Sequence, residues 1–142
     1  MTQVDFYILG QRGGDRHRFA CRLTEKAWRQ GHRIYLHTAS QNESRAMEQL
    51  LWTYRQDSFL PHGQMGEADP ALNPILVGHG TEVGEEHDVL INLAPAVPEF
   101  FSRFERVAEI IDQDEEARTA GRERFRFYRD RGYPLNSHEI EK

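Results

Sequence analysis

The chain has 142 residues, 38% hydrophobic, 29% charged and 11% aromatic, with a formal charge of −5. This composition points to one globular domain with a real core and excludes a disordered chain, and no apolar run approaches the ~20 residues of a membrane span. A single cysteine, Cys21, excludes a disulfide framework and a cysteine-only zinc site, while the net acidity argues against broad wrapping of nucleic acid.

The first ten residues lack the basic start and long apolar stretch of a signal peptide, so a cytoplasmic location is expected. Residues 4–9 read instead as a buried first strand ending at Gly10. A turn over 11–14 follows. Residues 16–30 carry Phe19, Leu23, Ala27 and Trp28 at helical spacing, with Gly31 as the stop. Residues 33–37 predict a second strand around Ile34 and Leu36. Ser40 followed by Glu43 is a capping box for a second helix running to about Tyr54. An extended loop is expected over 57–62, and a Gly/Pro/Asn-rich loop over 63–74. Short strands are expected over 75–77 and 88–93, joined by a flexible stretch at 78–87. If that link is a hairpin, part of the sheet is antiparallel. A short helix over 99–104, a final strand over 107–111 and an arginine-rich helix stopping at Gly132 complete the pattern, with 137–142 expected as a flexible tail. The whole of 1–142 is predicted to be a single α/β domain, a three-layer sandwich with a mostly parallel sheet.

Enzymatic motifs are missing. GlyGlnArgGlyGly at 10–14 sits where dinucleotide-binding folds keep their phosphate loop, but it fits neither GxGxxG nor a Walker pattern, and the chain has only two lysines, Lys26 and Lys142. There is no GlyXSerXGly elbow. The seven histidines show no metal-ligand spacing and read as solvated or capping groups. Cys21 lies beside the apolar face of the first helix and reads as a core or boundary residue. The acids at 82–88 read as a solvated loop.

Two surfaces stand out. Trp52 and Phe59 are large rings at a helix end and in the loop after it, which suggests an interaction patch or a small satellite core. The segment 118–136 sets six arginines against two acids, a local charge of +4 on an acidic protein. At about 100° per residue, Arg118, Arg122, Arg126 and Arg129 fall within roughly 80°, and Phe125 lies about 20° outside that arc. A cationic stripe beside an aromatic ring suits an acidic ligand with an apolar or aromatic group. Arg124 points to the buried side of the same helix, where its head is expected to find a carboxylate.

The residues PheTyrIleLeu (6–9), LysAlaTrpArgGlnGlyHisArg (26–33), LeuTrp (51–52), SerPheLeuProHis (58–62), AspValLeuIleAsnLeu (88–93) and ArgGluArgPheArgPheTyrArgAspArgGlyTyrProLeuAsn (122–136), in that order and spacing, resemble the chi subunits of bacterial DNA polymerase III. The resemblance runs to about Asn136. It implies a Rossmann-like fold without a nucleotide-binding loop, no cofactor, no metal and no catalytic residues. It further implies an adaptor in the clamp-loader complex that binds the psi subunit as a heterodimer and the acidic, phenylalanine-ended tail of single-stranded DNA-binding protein. By position, the tail-binding residues are Ile111, Arg118, Arg122, Phe125 and Arg126, and the psi-binding residues are Trp52 and Phe59. Phe125 stands where the family commonly has tyrosine, and Arg118 and Arg126 where lysines are known. The alternative left by the residues alone is an α/β protein holding a nucleotide or other phosphorylated ligand at the carboxyl edge of its sheet.

Overall fold

The computed structural model describes residues 1–57 and 59–141. Ser58, in the loop expected over 57–62, and Lys142, at the end of the expected tail, lie outside the described residues. The elements are β1 (Gln3–Leu9), α1 (Arg16–Arg29), β2 (Ile34–His37), α2 (Gln41–Thr53), β3 (His62–Gln64), β4 (Ile75–Gly78), β5 (Val89–Asn92), a 3₁₀ turn (Phe101–Arg103), β6 (Arg106–Ile111), α3 (Glu115–Asp130) and β7 (Leu135–Ile140). The seven strands form one sheet in the order β3-β4-β2-β5-β6-β1-β7, and every neighbouring pair is parallel.

The central strands are near-continuous apolar runs because both faces of the sheet are covered. On one face, Ala20 and Cys21 of α1 and Met47 and Leu51 of α2 pack on Ile34, Leu36, Ile75, Val77 and Ile91. On the other, Tyr128 of α3 and Phe100, Phe101 and Phe104 pack on Phe6, Tyr35, Leu90 and Val107. The result is the expected Rossmann-like three-layer sandwich. The stop at Gly31 and the capping box at Ser40 are those read from the sequence, and Asp15 adds an N-cap to α1 that was not. Asp15 accepts from the His17 amide and Gly31, at φ 93°, follows the end of α1. Ser40 Oγ accepts from the Glu43 amide, and the Glu43 carboxylate reaches back to the Ala39 amide at 2.9 Å.

Four expectations need correction. The sheet has no antiparallel member: β4 and β5 flank β2 on opposite sides, so residues 79–88 cross over β2 rather than forming a hairpin. The loop expected from residue 63 contains the end of β3, a three-residue edge strand whose HisGlyGln sequence has no hydrophobic alternation. The expected helix over 99–104 shrinks to a 3₁₀ turn, because Phe100, Phe101 and Phe104, all just after Pro98, are drawn down onto the sheet. The expected tail at 137–142 instead continues β7 as far as Ile140. This polar edge strand pairs with β1 and is pinned by His138, which stacks on Tyr7 at 4.8 Å and meets Asp5 at 3.1 Å.

Candidate functional site

The arginine-rich segment is α3. Asp114 caps it by accepting from the Ala117 amide at 3.1 Å, Glu115 and Glu116 place negative charge in its first turn, and Arg129 lies in its last. Its buried stripe is Gly121, Arg124 and Tyr128. Gly121 sits directly over Ile111, whose Cδ1 occupies the space a β-carbon would need. Arg124 Nε donates to Glu109 Oε1 at 2.7 Å, and its Nη1 donates to the Pro95 carbonyl at 2.9 Å. Tyr128 donates its hydroxyl to Glu109 Oε2 at 2.7 Å, and the Asn92 amide approaches both carboxylate oxygens at 3.1 Å. The carboxylate expected for Arg124 is therefore Glu109 on β6. Burial pushes the Glu109 carboxyl above its usual pKa, against the opposing pull of Arg124, Tyr128 and Asn92. The Tyr128 hydroxyl is pushed up by burial and by the adjacent Glu109 charge.

This anchoring turns the arginine arc away from the sheet. Arg118, on the inner edge of the arc, donates to the Leu9 carbonyl at 3.2 Å. Arg122 approaches the Thr119 hydroxyl at 3.4 Å. Arg126 is exposed. None of these three has a carboxylate within salt-bridge distance among the described residues, whereas Arg129 pairs with Asp130 at 3.1 Å and leaves the free set. Phe125, half-buried, sets its ring 5.2 Å from that of Phe6. Ile111 is nearly closed off beneath Gly121, so it forms the floor of this region and not an open wall. The structure thus brings Ile111, Arg118, Arg122 and Phe125 together, with Arg126 at the outer rim. It adds Ile8, half-buried, in register with Ile111 and on the same face as Phe6. The sequence reading missed Ile8, although its alternation with Phe6 was visible.

Trp52 and Phe59 form a separate patch. They are 45% and 66% exposed, and their ring centroids lie 5.8 Å apart. Trp52 also packs at 4.3 Å on His62, whose two ring nitrogens face the carbonyls of Leu60 and Glu48. The pair is an exposed patch, not a satellite core.

At the carboxyl edge of the sheet the turn after β1 is occupied by the protein's own groups. The Gln113 side chain donates to the carbonyls of Leu9, Gly10 and Gly14, so the turn after β1 turns its carbonyls inward. Arg16 spans the same edge, reaching the Leu93 carbonyl at 2.7 Å, Glu43 at 3.4 Å and Asp112 at 3.6 Å. The Glu141 carboxylate lies over Gly10. Two histidines are not solvated as expected: His62 is buried, and so is His37, whose pKa burial lowers. The loop acids are only partly solvated, since Glu86 is buried against Arg33 at 2.9 Å and Asp88 caps the Arg33 amide. Among the described residues no three His, Cys, Asp or Glu side chains are grouped to hold a metal ion. Cys21 is fully buried and its thiol is pushed up to about 12 by burial. No helix is long and apolar enough to cross a membrane among the described residues.

Residues 1–136 match the family model described as "DNA polymerase III chi subunit, HolC". The chain is 42% identical to DNA polymerase III subunit chi of Pseudomonas aeruginosa over 143 aligned positions, covering 100% of this chain and 99% of that protein. It is 28% identical to the Haemophilus influenzae subunit chi, covering 85% of each chain, and 25% identical to that of Escherichia coli, covering 82% of this chain and 80% of the other. The chain belongs to the DNA polymerase III chi subunit family.

Proposed function

We propose that this chain is a non-catalytic adaptor of the clamp-loader complex in the bacterial replisome. In this reading it joins the psi subunit, bound one to one through Trp52 and Phe59, to the acidic C-terminal tail of single-stranded DNA-binding protein. The observation that carries the reading is the outer face of α3: among the described residues Arg118, Arg122 and Arg126 meet no carboxylate, and a half-buried ring, Phe125, stands beside them. Such a surface holds unsatisfied positive charge next to apolar area, and its natural complement is a peptide carrying acids and a terminal aromatic group.

In the mechanism, the arginines pair with the tail's aspartates and terminal carboxylate. The tail's phenylalanine lies against Phe125 and the apolar floor at Ile111. Charge-assisted bonds are worth about 1.5–3 kcal/mol each before desolvation. Ordering a short peptide offsets much of that, so an affinity near micromolar, about −8 kcal/mol, is expected. The contacts are near the surface, so affinity falls with salt. The nucleotide-site alternative gains nothing from the carboxyl edge, where Gln113 and Arg16 take up backbone carbonyls and Glu141 adds negative charge.

The test is a titration with a fluorescent peptide of the tail's last ten or so residues, with and without its phenylalanine, at two salt concentrations. Saturable, salt-sensitive binding that needs the phenylalanine and is lost in Arg122→Ala supports the reading. Unchanged binding by Arg122→Ala removes α3 as the site.

A further inference from the structure

We infer that the outer face of α1 binds a short stretch of single-stranded nucleic acid. This does not rest on the reading of α3, because the two helices cover opposite faces of the sheet. Residues 12–29 set six cations, Arg12, Arg16, Arg18, Arg22, Lys26 and Arg29, against two acids, Asp15 and Glu25, a local charge of +4 on an acidic protein. On the helix, Arg18, Arg22, Lys26 and Arg29 fall within roughly 80° of one another. Arg29 leaves the free set, since Glu25 holds it at 2.7 Å. Glu25 is itself buried and shared with Arg55, so it does not neutralise the stripe. Arg18, Arg22 and Lys26 are exposed, and among the described residues none of them has a carboxylate within salt-bridge distance. They step along the helix axis by about 6 Å each.

What lies beside the stripe decides the ligand. Arg22 lies over the ring of Phe19 at 5.7 Å, so cations and rings form one surface. Half-buried Phe19 sets its ring 5.4 Å from that of half-buried Tyr7. His138 stacks on Tyr7 at 4.8 Å, and its side chain is 44% exposed. Next to these rings a pocket of about 250 Å³ opens between α1 and the sheet, lined by Tyr7, Leu23, Lys26, Gln30 and Arg106. That is smaller than the about 300–1,000 Å³ of a typical small-molecule site and suits one flat heterocycle. Evenly stepped cations for phosphates, with aromatic rings beside them for bases, are the means by which single strands are held without regard to sequence. A duplex keeps its base faces inside the stack and would leave the rings unused. An acidic peptide would meet the cations but brings no flat ring for each of these places. The net charge of −5 keeps the contact local, without wrapping.

Fluorescein-labelled 15-mers of thymidine and of uridine are titrated with the full chain at 50 mM salt, beside a 15-base-pair duplex, with anisotropy as the readout. Expected is saturable binding of a single strand and at least tenfold weaker binding of the duplex. The tighter of the two strands names the sugar. The slope of log affinity against log salt should be about −2, as three phosphate contacts on a single strand give. Arg18→Ala/Arg22→Ala should lose at least tenfold and flatten that slope to about −1, with an unchanged urea midpoint showing that it folds. In the ¹⁵N-labelled wild-type chain, shifts should concentrate at residues 16–29, Tyr7 and His138 and spare 118–126. No binding at 50 mM salt, equal affinity for the duplex, shifts on α3 in place of α1, or an affinity indifferent to the double replacement would each overturn the proposal. Equal displacement by polyglutamate would overturn it in favour of an acidic protein partner.

Discussion

Arg124 and Glu109 meet at 2.7 Å inside the protein, where their side chains are 6% and 0% exposed. The pair sets the rotation of α3 on the sheet. With Arg124 held inward, Arg118, Arg122 and Arg126 can only face outward. A buried ion pair is weak evidence for stability as such, because desolvation offsets most of the attraction, but a half-broken one is costly. Glu109→Ala, which strands the Arg124 guanidinium among apolar groups, is therefore expected to cost about 3–5 kcal/mol in urea unfolding. The apolar double replacement Glu109→Leu/Arg124→Met should cost much less than Glu109→Ala alone. A double variant as unstable as the single one would show that the pair does more than satisfy itself.

Gly121 makes a second constraint on the same helix. Glycine inside a helix normally costs about 1 kcal/mol relative to alanine. Here the place of its missing β-carbon is filled by Ile111 Cδ1. Gly121→Ala is thus expected to destabilise by about 1–3 kcal/mol, as overpacking does, despite the better helix former. Ile111→Val removes the nearest of the obstructing atoms, so the double variant should be less destabilised than the sum of the two. Simple additivity in urea unfolding would rule out the steric account.

Much of this was legible in the chain, and the exceptions share a physical cause. The strands with two covered faces announce themselves as apolar runs, and the first two helices announce one end each, at Gly31 and Ser40. The edge strands do not. LeuAsnSerHisGluIle in β7 and HisGlyGln in β3 lie at the two sides of the sheet, and what holds them is cross-strand pairing and single contacts such as His138 with Asp5. For β7 the partner strand lies more than a hundred residues away, and for β3 it lies just beyond a loop, but in neither case does the strand's own sequence record the pairing. The arginine arc was readable from spacing alone, and Arg124 was separable from it by angle. Its partner was harder to see. Glu109 is one acid within the apolar run 107–111, a signal that points to a buried partner without naming it. Equally, Asp130 could be seen beside Arg129, but only the structure decides that this pair forms while Arg118, Arg122 and Arg126 meet no carboxylate among the described residues.

The contact between α1 and the start of α2 should make stability depend on pH. His17 Nε2 lies 2.8 Å from Glu43 Oε2. The hydrogen bond to Glu43 raises the His17 pKa above its ordinary 6.5, outweighing burial. Burial alone would raise the Glu43 carboxyl, but His17, the Ala39 amide and Arg16 together hold it low. A raised histidine stabilises fully below its unfolded value and loses that contribution as pH climbs through the folded one. A depressed carboxylate stabilises above its unfolded value and loses that as pH falls through the folded one. Wild type should therefore exceed His17→Gln in stability most clearly near pH 6, with the gap narrowing toward pH 8. Urea midpoints at pH 5.5, 6.5 and 8 check this, and a gap that widens with pH contradicts it.

Trp52 and Phe59 separate binding from folding more cleanly than any residue of α3. Phe59 is 66% exposed and its ring touches Trp52, so Phe59→Ser should change the unfolding free energy by less than about 0.5 kcal/mol. Trp52→Ala also gives up the contact with His62 and should cost somewhat more, about 1 kcal/mol. If the pair anchors the psi subunit, each ring is a centre of desolvated contact, and its loss should weaken that complex at least tenfold, about 1.4 kcal/mol. The arginine face of α3 lies over β1 and β6, whereas this pair sits beside β3 at the far edge of the sheet. Acidic-tail peptide binding should therefore be untouched in both variants. Calorimetric titration with psi, tail-peptide titration and urea unfolding of the same two variants test all three claims. Full psi affinity in both variants would free the patch from that role, and a parallel loss of tail binding would mean that the two surfaces are coupled.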